Sequence, residues 1–227
     1  MRLNSRRSLL AGVLSLVAAL GPATAAAADE PAPGTNGVLR VMPLGDSITF
    51  GKGDPAENGY RAELYDRLSA DGARVEFVGS QHNGTGVATA HEGHPGWRIA
   101  QLTERIDGWM AESRPDVVLL DIGTNDLLHR DHVAAAPDRL IELIDHIVAA
   151  DPAVRIVLAD LLVVDRGHET DFLNYNTAVG MLAGFYPDNV TPASMSGIPV
   201  ENTVDHVHPN ALGYRQMAEV WYEALRG

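Results

Sequence analysis

Three short polar stretches hold residue types that together can do chemistry. Gly45-Asp46-Ser47 supplies a hydroxyl, Gly123-Thr124-Asn125-Asp126 an amide, and Asp205-His206-Val207-His208-Pro209-Asn210 a carboxylate three residues before a histidine. A serine hydroxyl is a weak nucleophile until a base within hydrogen-bond reach takes its proton, and these are the parts of nucleophilic acyl transfer. Each part also has an ordinary reading. Gly-Asp-Ser is common turn chemistry, Asn125 could cap a turn, Asp205 could form an Asx-turn, and His208 could be a satisfied loop histidine. A shared location is what would set the chemical reading above these.

The hydrophobic pattern supplies that location. A mostly apolar run, residues 38–44, leads into Gly45-Asp46-Ser47. Tyr60, Leu64 and Leu68 then repeat at helical spacing, with Gly72 as a stop. Val75-Glu76-Phe77-Val78 reads as a second strand, and Ile99, Leu102, Ile106 and Met110 mark one helix ending before Pro115. Val117-Val118-Leu119-Leu120 is unbroken, as expected of a parallel strand buried on both faces. Leu140, Ile144 and Ile147 give another helix, Ile156-Val157-Leu158-Ala159 another strand, and Tyr214, Met217, Trp221 and Leu225 a last helix. This alternation predicts a three-layer α/β/α sandwich around a mostly parallel sheet. Residues 160–205 show no clear period, and no fifth strand is placed there. Ligands in such folds bind outside the carboxyl ends of the strands. Ser47, Asn125 and Asp160 all follow strand ends, and the loop from Asp205 opens on the same rim.

The first residues belong to a different kind of segment. Arg2, Arg6 and Arg7 precede the apolar stretch Leu9 to Leu20, and the small-residue tract Ala23 to Ala28 follows. That is the layout of a secretory signal over residues 1–28, too short to span a bilayer. Ser5-Arg6-Arg7-Ser8-Leu9-Leu10 also resembles a twin-arginine signal. Taking 28 residues from 227 leaves 199, enough for one domain over 29–227. Taking the three arginines from 17 basic residues leaves 14 against 30 acidic ones, a net charge of −16. Such a surface disfavours nucleic acid and anionic membranes as partners and suits a small neutral substrate met by a secreted monomer. With no cysteine, the exported chain must rely on its core rather than on disulfides.

Read in order, "GDSIT", "EGHPGW", "GTND" and "DHVHPN" resemble the SGNH hydrolases, also called the GDSL esterase family. Together with "ENGYR" (57–61) and "HEGHPGW" (91–97), they resemble more narrowly the acetylxylan esterases of carbohydrate esterase family three. The resemblance implies a flavodoxin-like fold and a serine esterase acting on an acylated carbohydrate, with no cofactor. It implies Ser47 as nucleophile, Gly96 and Asn125 as oxyanion donors beside the Ser47 backbone N–H, and His208 as base oriented by Asp205. Gly93 is an alternative to Gly96. One position departs from the family, which usually reads Asp-Gly-x-His-Pro where this chain has His206.

Physical chemistry agrees with these assignments. Ser47 on a strand-to-helix turn can expose its hydroxyl while its N–H points the same way. Between the two histidines spacing favours His208, because a residue three along a turn can meet the Asp205 carboxylate while its other ring nitrogen faces Ser47. Asp46 reads first as a shaper of the turn and, after that, as a contact to substrate. Tyr60 and Trp97, each following a glycine at a helix start, could line a sugar cleft, though both also suit the core. The other histidines, His91 and His94 among them, read as surface or turn residues. A lipid, aryl-ester or thioester hydrolase with the same triad is the alternative within the family. A metal-dependent phosphoesterase would draw on the polar cluster Asp121, Asp126, His129, Asp131 and His132, but it lacks the early Asp-x-His ligand pair.

Overall fold

Strands and helices alternate as the apolar pattern requires, beginning with β1 (Leu39–Gly45), the four-residue helix α1 (Ser47–Phe50) and α2 (Arg61–Ala70). Three short strands follow, β2 (Val75–Phe77), β3 (Gln81–His82) and β4 (Ala90–Gly93), then α3 (Ile99–Thr103) and α4 (Ile106–Ser113). The second half runs β5 (Val117–Asp121), α5 (Thr124–Leu128), α6 (Ala136–Ala150), β6 (Arg155–Ala159), α7 (Glu169–Leu182), β7 (Val190–Ala193) and α8 (Ala211–Arg226). This computed structural model describes residues 37–164 and 167–227, all within the unit Ala32–Gly227. The segment read as an export signal, residues 1–28, lies outside the described residues.

β1 organises the sheet. One edge pairs in parallel first with β2 (Leu39 opposite Val75) and then with β4 (Gly45 opposite Gly93). The other edge pairs with β5, from Val41 opposite Val117 to Gly45 opposite Asp121. β6 and β7 continue outward in parallel, and β3 on β4 is the antiparallel pair. The order reverses between β1 and β5, the kind of switch point outside whose carboxyl ends such folds bind their ligands. Successive strand residues face opposite layers. Met42, Leu44, Val118, Leu120, Ile156 and Leu158 pack with α3, α4, α6 and α7, whereas Val41, Val117, Leu119 and Val157 pack with α2 and α8. The result is the expected three-layer α/β fold.

Two expectations are corrected. The stripe Ile99, Leu102, Ile106, Met110 is carried by two helices, because the chain tightens between them: Thr103 Oγ1 donates to the Ile99 carbonyl, and the Arg105 N–H reaches back only three residues to Leu102. All four side chains still reach the core. Residues 160–205 contain both α7 and a further parallel strand, β7. Leu173 and Met181, exposed on the outer face of α7, blur its period, and Pro192 weakens the strand signal of β7.

Candidate active site

β1 ends where it does because Gly45 has no room for a side chain. A Cβ there would lie 2.1 Å from the Asp121 carbonyl oxygen and 2.5 Å from Thr49 Oγ1. The chain turns at once into α1, capped by Asp46, whose Oδ1 accepts the Ile48 N–H at 2.9 Å. Ser47 is the first residue of that helix, 9% exposed. A four-residue helix cannot hold itself, and its carbonyls are satisfied from outside. Tyr214 of α8 donates its hydroxyl to Ile48 O (3.1 Å) and Lys52 O (2.6 Å). The buried Arg61 guanidinium donates to Thr49 O (2.5 Å) and Phe50 O (3.0 Å), and also to Glu57, Asn83 and Ala88. Arg61, in the "ENGYR" stretch, had no chemical signal of its own in the sequence, yet it fixes the serine's turn.

The loop before α8 delivers the other half. His208 Nε2 lies 2.9 Å from Ser47 Oγ, and its Nδ1 lies 2.8 Å from Asp205 Oδ2. Asp205 Oδ1 also accepts the backbone N–H groups of Val207 (3.1 Å) and His208 (2.8 Å), the Asx-turn anticipated for it. Burial pushes the Asp205 carboxyl up, but those N–H groups and the imidazole outweigh it and hold the carboxyl below its ordinary value. An ionised Asp205 favours Nδ1–H on His208 and leaves Nε2 free to accept from Ser47. His206 takes a left-handed φ of +64°, which explains why a glycine suits that position, and it is exposed. The loop is anchored by Asn210, which caps α8 by accepting from Leu212 and Gly213. Gly53, just beyond α1, lies against Pro209 and His208.

Three N–H groups are put forward as oxyanion donors by the resemblance: those of Ser47 and Gly96 and the Asn125 side-chain amide. The turn His94-Pro95-Gly96-Trp97 is closed by Trp97 N–H on His94 O (3.1 Å), with proline second and Gly96 third at φ +81°. That is a type II turn, and it requires a left-handed third residue. Among the described residues neither the Gly96 N–H nor the Ser47 N–H has a protein acceptor. The Gly93 N–H, by contrast, donates to His91 Nδ1 at 2.8 Å, which removes Gly93 as the alternative. Asn125 sits in the first turn of α5, directly after β5. Its Nδ2 donates to Asp46 Oδ2 (3.1 Å) and to Trp97 O (3.0 Å).

Asp46 is 1% exposed, and burial raises its carboxyl to about 6, with the Ile48 N–H and His208 pulling the other way. It is therefore enclosed beneath the site and cannot meet substrate directly, which corrects its placement among substrate contacts. Tyr60 is corrected for the same reason. It is fully buried against Trp221 (ring centroids 5.6 Å apart), with its hydroxyl near Thr49 Oγ1, so α2 and α8 close over it. Trp97 stays half-buried at the site and stacks on His94 at 4.2 Å, with Trp109 on the other side of His94 at 4.9 Å. His94 also bonds the buried Glu92 at 2.9 Å, and His91 is fully buried, so neither is a surface histidine. The polar cluster near α5 is occupied by arginines: Asp126 pairs with Arg139 at 2.8 Å and Asp131 with Arg98 at 2.6 Å. Among the described residues no group of three or more His, Cys, Asp or Glu side chains could hold a metal ion.

Comparison with known proteins gives a concordant picture. Residues 44–216 match the GDSL-like Lipase/Acylhydrolase family. A multidomain esterase of Ruminococcus flavefaciens is 31% identical over 84% of this chain, which spans 29% of that relative's length. A family 3 carbohydrate esterase of Clostridium thermocellum superposes with a TM-score of 0.73 at 32% identity, covering 82% of this chain and 94% of that one. A family 3 carbohydrate esterase from Talaromyces cellulolyticus shares the fold at TM-score 0.72 and 24% identity, over 82% of this chain and 95% of that one.

Proposed function

Because this chain belongs to the GDSL-like lipase/acylhydrolase family and is a carboxylic ester hydrolase, we propose that it removes acyl groups, acetyl foremost, from an acylated carbohydrate such as acetylated xylan. The observation that carries the chemistry is the relay Ser47 Oγ, His208 Nε2, His208 Nδ1, Asp205 Oδ2, with 2.9 and 2.8 Å contacts, just beyond the carboxyl end of β1. Ser47 Oγ attacks the ester carbonyl while His208 Nε2 takes its proton. Asp205 keeps the ring oriented and stabilises the imidazolium. The carbonyl oxygen, now negative, is received by the Ser47 and Gly96 N–H groups and the Asn125 amide, and each well-placed donor is worth roughly 3–4 kcal/mol. His208 returns the proton to the departing sugar hydroxyl, leaving the acyl group on Ser47. A water deprotonated by the same ring then releases the acid.

The sugar assignment rests on likeness to the family 3 carbohydrate esterases and on the half-buried Trp97 beside the oxyanion turn, since pyranose faces pack on aromatic rings. The net charge of −13 over the whole chain suits a neutral polymer. A signal over residues 1–28 would place the enzyme outside the cell, where such polymers are met, and it acts there as a monomer. The test is acetate release from acetylated xylan, set beside a panel of lipid, aryl and thioester substrates, with and without a chelator. Preference for acetylated xylan with no chelator effect supports the proposal. Faster turnover of long-chain acyl esters favours the lipid alternative, and loss of activity with the chelator removes the mechanism.

A further inference from the structure

The oxyanion hole joins groups from three separate segments, and one buried side chain bonds two of them. Asp46 Oδ1 accepts the Ile48 N–H of the helix that begins with Ser47, and Asp46 Oδ2 accepts Asn125 Nδ2 from the turn after β5. We infer that Asp46 is a positioning residue for ester hydrolysis: its carboxylate locks the Asn125 amide to the Ser47 turn, so that side-chain and backbone donors converge on one oxygen. The role rests on Asn125 being an oxyanion donor, as proposed above.

Donor counting makes the case. The Asn125 amide has two hydrogens, and in the resting site both have acceptors, Asp46 Oδ2 and the Trp97 carbonyl. An oxyanion gains this donor only if one hydrogen is shared. Bonds to ionised acceptors are roughly twice as strong as bonds to neutral ones, so the hydrogen on the Trp97 carbonyl is released first. That carbonyl belongs to the residue that follows Gly96, whose N–H is the second proposed donor. The bond to Asp46 is what holds the amide while this happens, because the last side-chain torsion of asparagine is otherwise broad and weakly restrained. Asp46 is 1% exposed, so water cannot substitute for it.

Steady-state kinetics on Asp46→Ser, Asn125→Ala and the double variant test this. Serine can still cap α1 but its hydroxyl is too short to reach Asn125, so thermal unfolding should stay cooperative. The expected result is a fall in kcat of about 10²-fold for Asp46→Ser, with a much smaller change in KM. In the Asn125→Ala background the same substitution should cost little more, because its target is gone. A wild-type kcat for Asp46→Ser, or an equal loss in both backgrounds, overturns the positioning role. If Asn125→Ala alone leaves kcat intact, the oxyanion assignment itself has failed and the role falls with it. Should Asp46→Ser not fold, Asp46→Asn keeps the shape with one acceptor oxygen where two are needed, and it carries the same comparison.

Discussion

The two halves of the candidate active site are built differently. Ser47 and Asn125 stand on turns that leave the central strands β1 and β5, over a buried layer that includes Asp46, Thr49 and Asp121. Asp205 and His208 stand on an outer loop, with side chains 46% and 25% exposed, held by an Asx-turn, an isolated bridge from Thr203 to Pro209 and the Asn210 cap. In the proposed mechanism the nucleophile and the oxyanion donors must be correct to within about an ångström, and turns that leave the central sheet can supply that precision. The base must swing a proton between serine and leaving group, and a locally tied loop suffices. Besides the Ser47–His208 contact, the two halves meet at Tyr214 of α8, which donates to the Ile48 carbonyl, and at Gly53, which lies against Pro209 and His208.

If this contrast is right, the severest loss comes from removing the serine or its base. Ser47→Ala and His208→Ala should each lower kcat on the order of 10⁶-fold, with unchanged cooperative unfolding in circular dichroism. His206→Gly, one step away on the same loop, should retain activity. A left-handed non-glycine residue costs about 1–2 kcal/mol, and the extra freedom of an unfolded glycine offsets part of the gain, so its melting point should hold or rise slightly. A dead His206→Gly enzyme beside an active His208→Ala would transfer the base to the other histidine.

Next in size is the buried half. Asn125→Ala should lower kcat by about 10²–10³-fold with a smaller change in KM, since the donor acts mainly in the transition state. A change confined to KM would make Asn125 a substrate contact instead.

Asp46 gives the buried half a pH signature. Its folded value of about 6 lies above the unfolded 3.8. The protonated side chain is thus favoured in the fold, and the stability this gives is full below about pH 4 and lost as pH rises through about 6. The loss by pH 7 is on the order of 3 kcal/mol, and denaturant unfolding between pH 4 and 7 should show Asp46→Asn with a flatter profile than the wild type. Parallel profiles would mean that Asp46 is better solvated than its burial indicates.

The smallest effect should come from Tyr60→Phe. Its hydroxyl makes one 3.4 Å contact beneath the site, so kcat and KM should stay within a few-fold, with about 1 kcal/mol or less of stability lost. A large rise in KM for a polysaccharide would return Tyr60 to the cleft.

The sequence was readable where local pattern and final environment coincide. β1, β5 and β6 are apolar because both faces are buried, and the polar residues that follow them must lie on one rim. The Asp205–His208 spacing is a local turn, so that half of the relay was legible without the fold, whereas the Ser47–His208 contact spans 161 positions. Tyr60 was ambiguous because its burial depends on Trp221, 161 positions later, which no local period reveals. The same holds for Asp46: adjacency to Ser47 suggested turn chemistry, but its bond to Asn125 spans 79 positions. β7 was illegible for a different reason. It is short, contains Pro192, and is assigned by pairing with β6 rather than by its own residues.

The covalent role of Ser47 can be tested most directly by quenching the enzyme in acid during turnover of an acetyl ester and mapping the acetylated peptide by mass spectrometry. The acetyl group should appear on Ser47, accumulate faster than it is lost when the alcohol leaves readily, and be absent from Ser47→Ala. Undiminished hydrolysis by Ser47→Ala, or an acetyl group that maps to another residue during turnover, would contradict it.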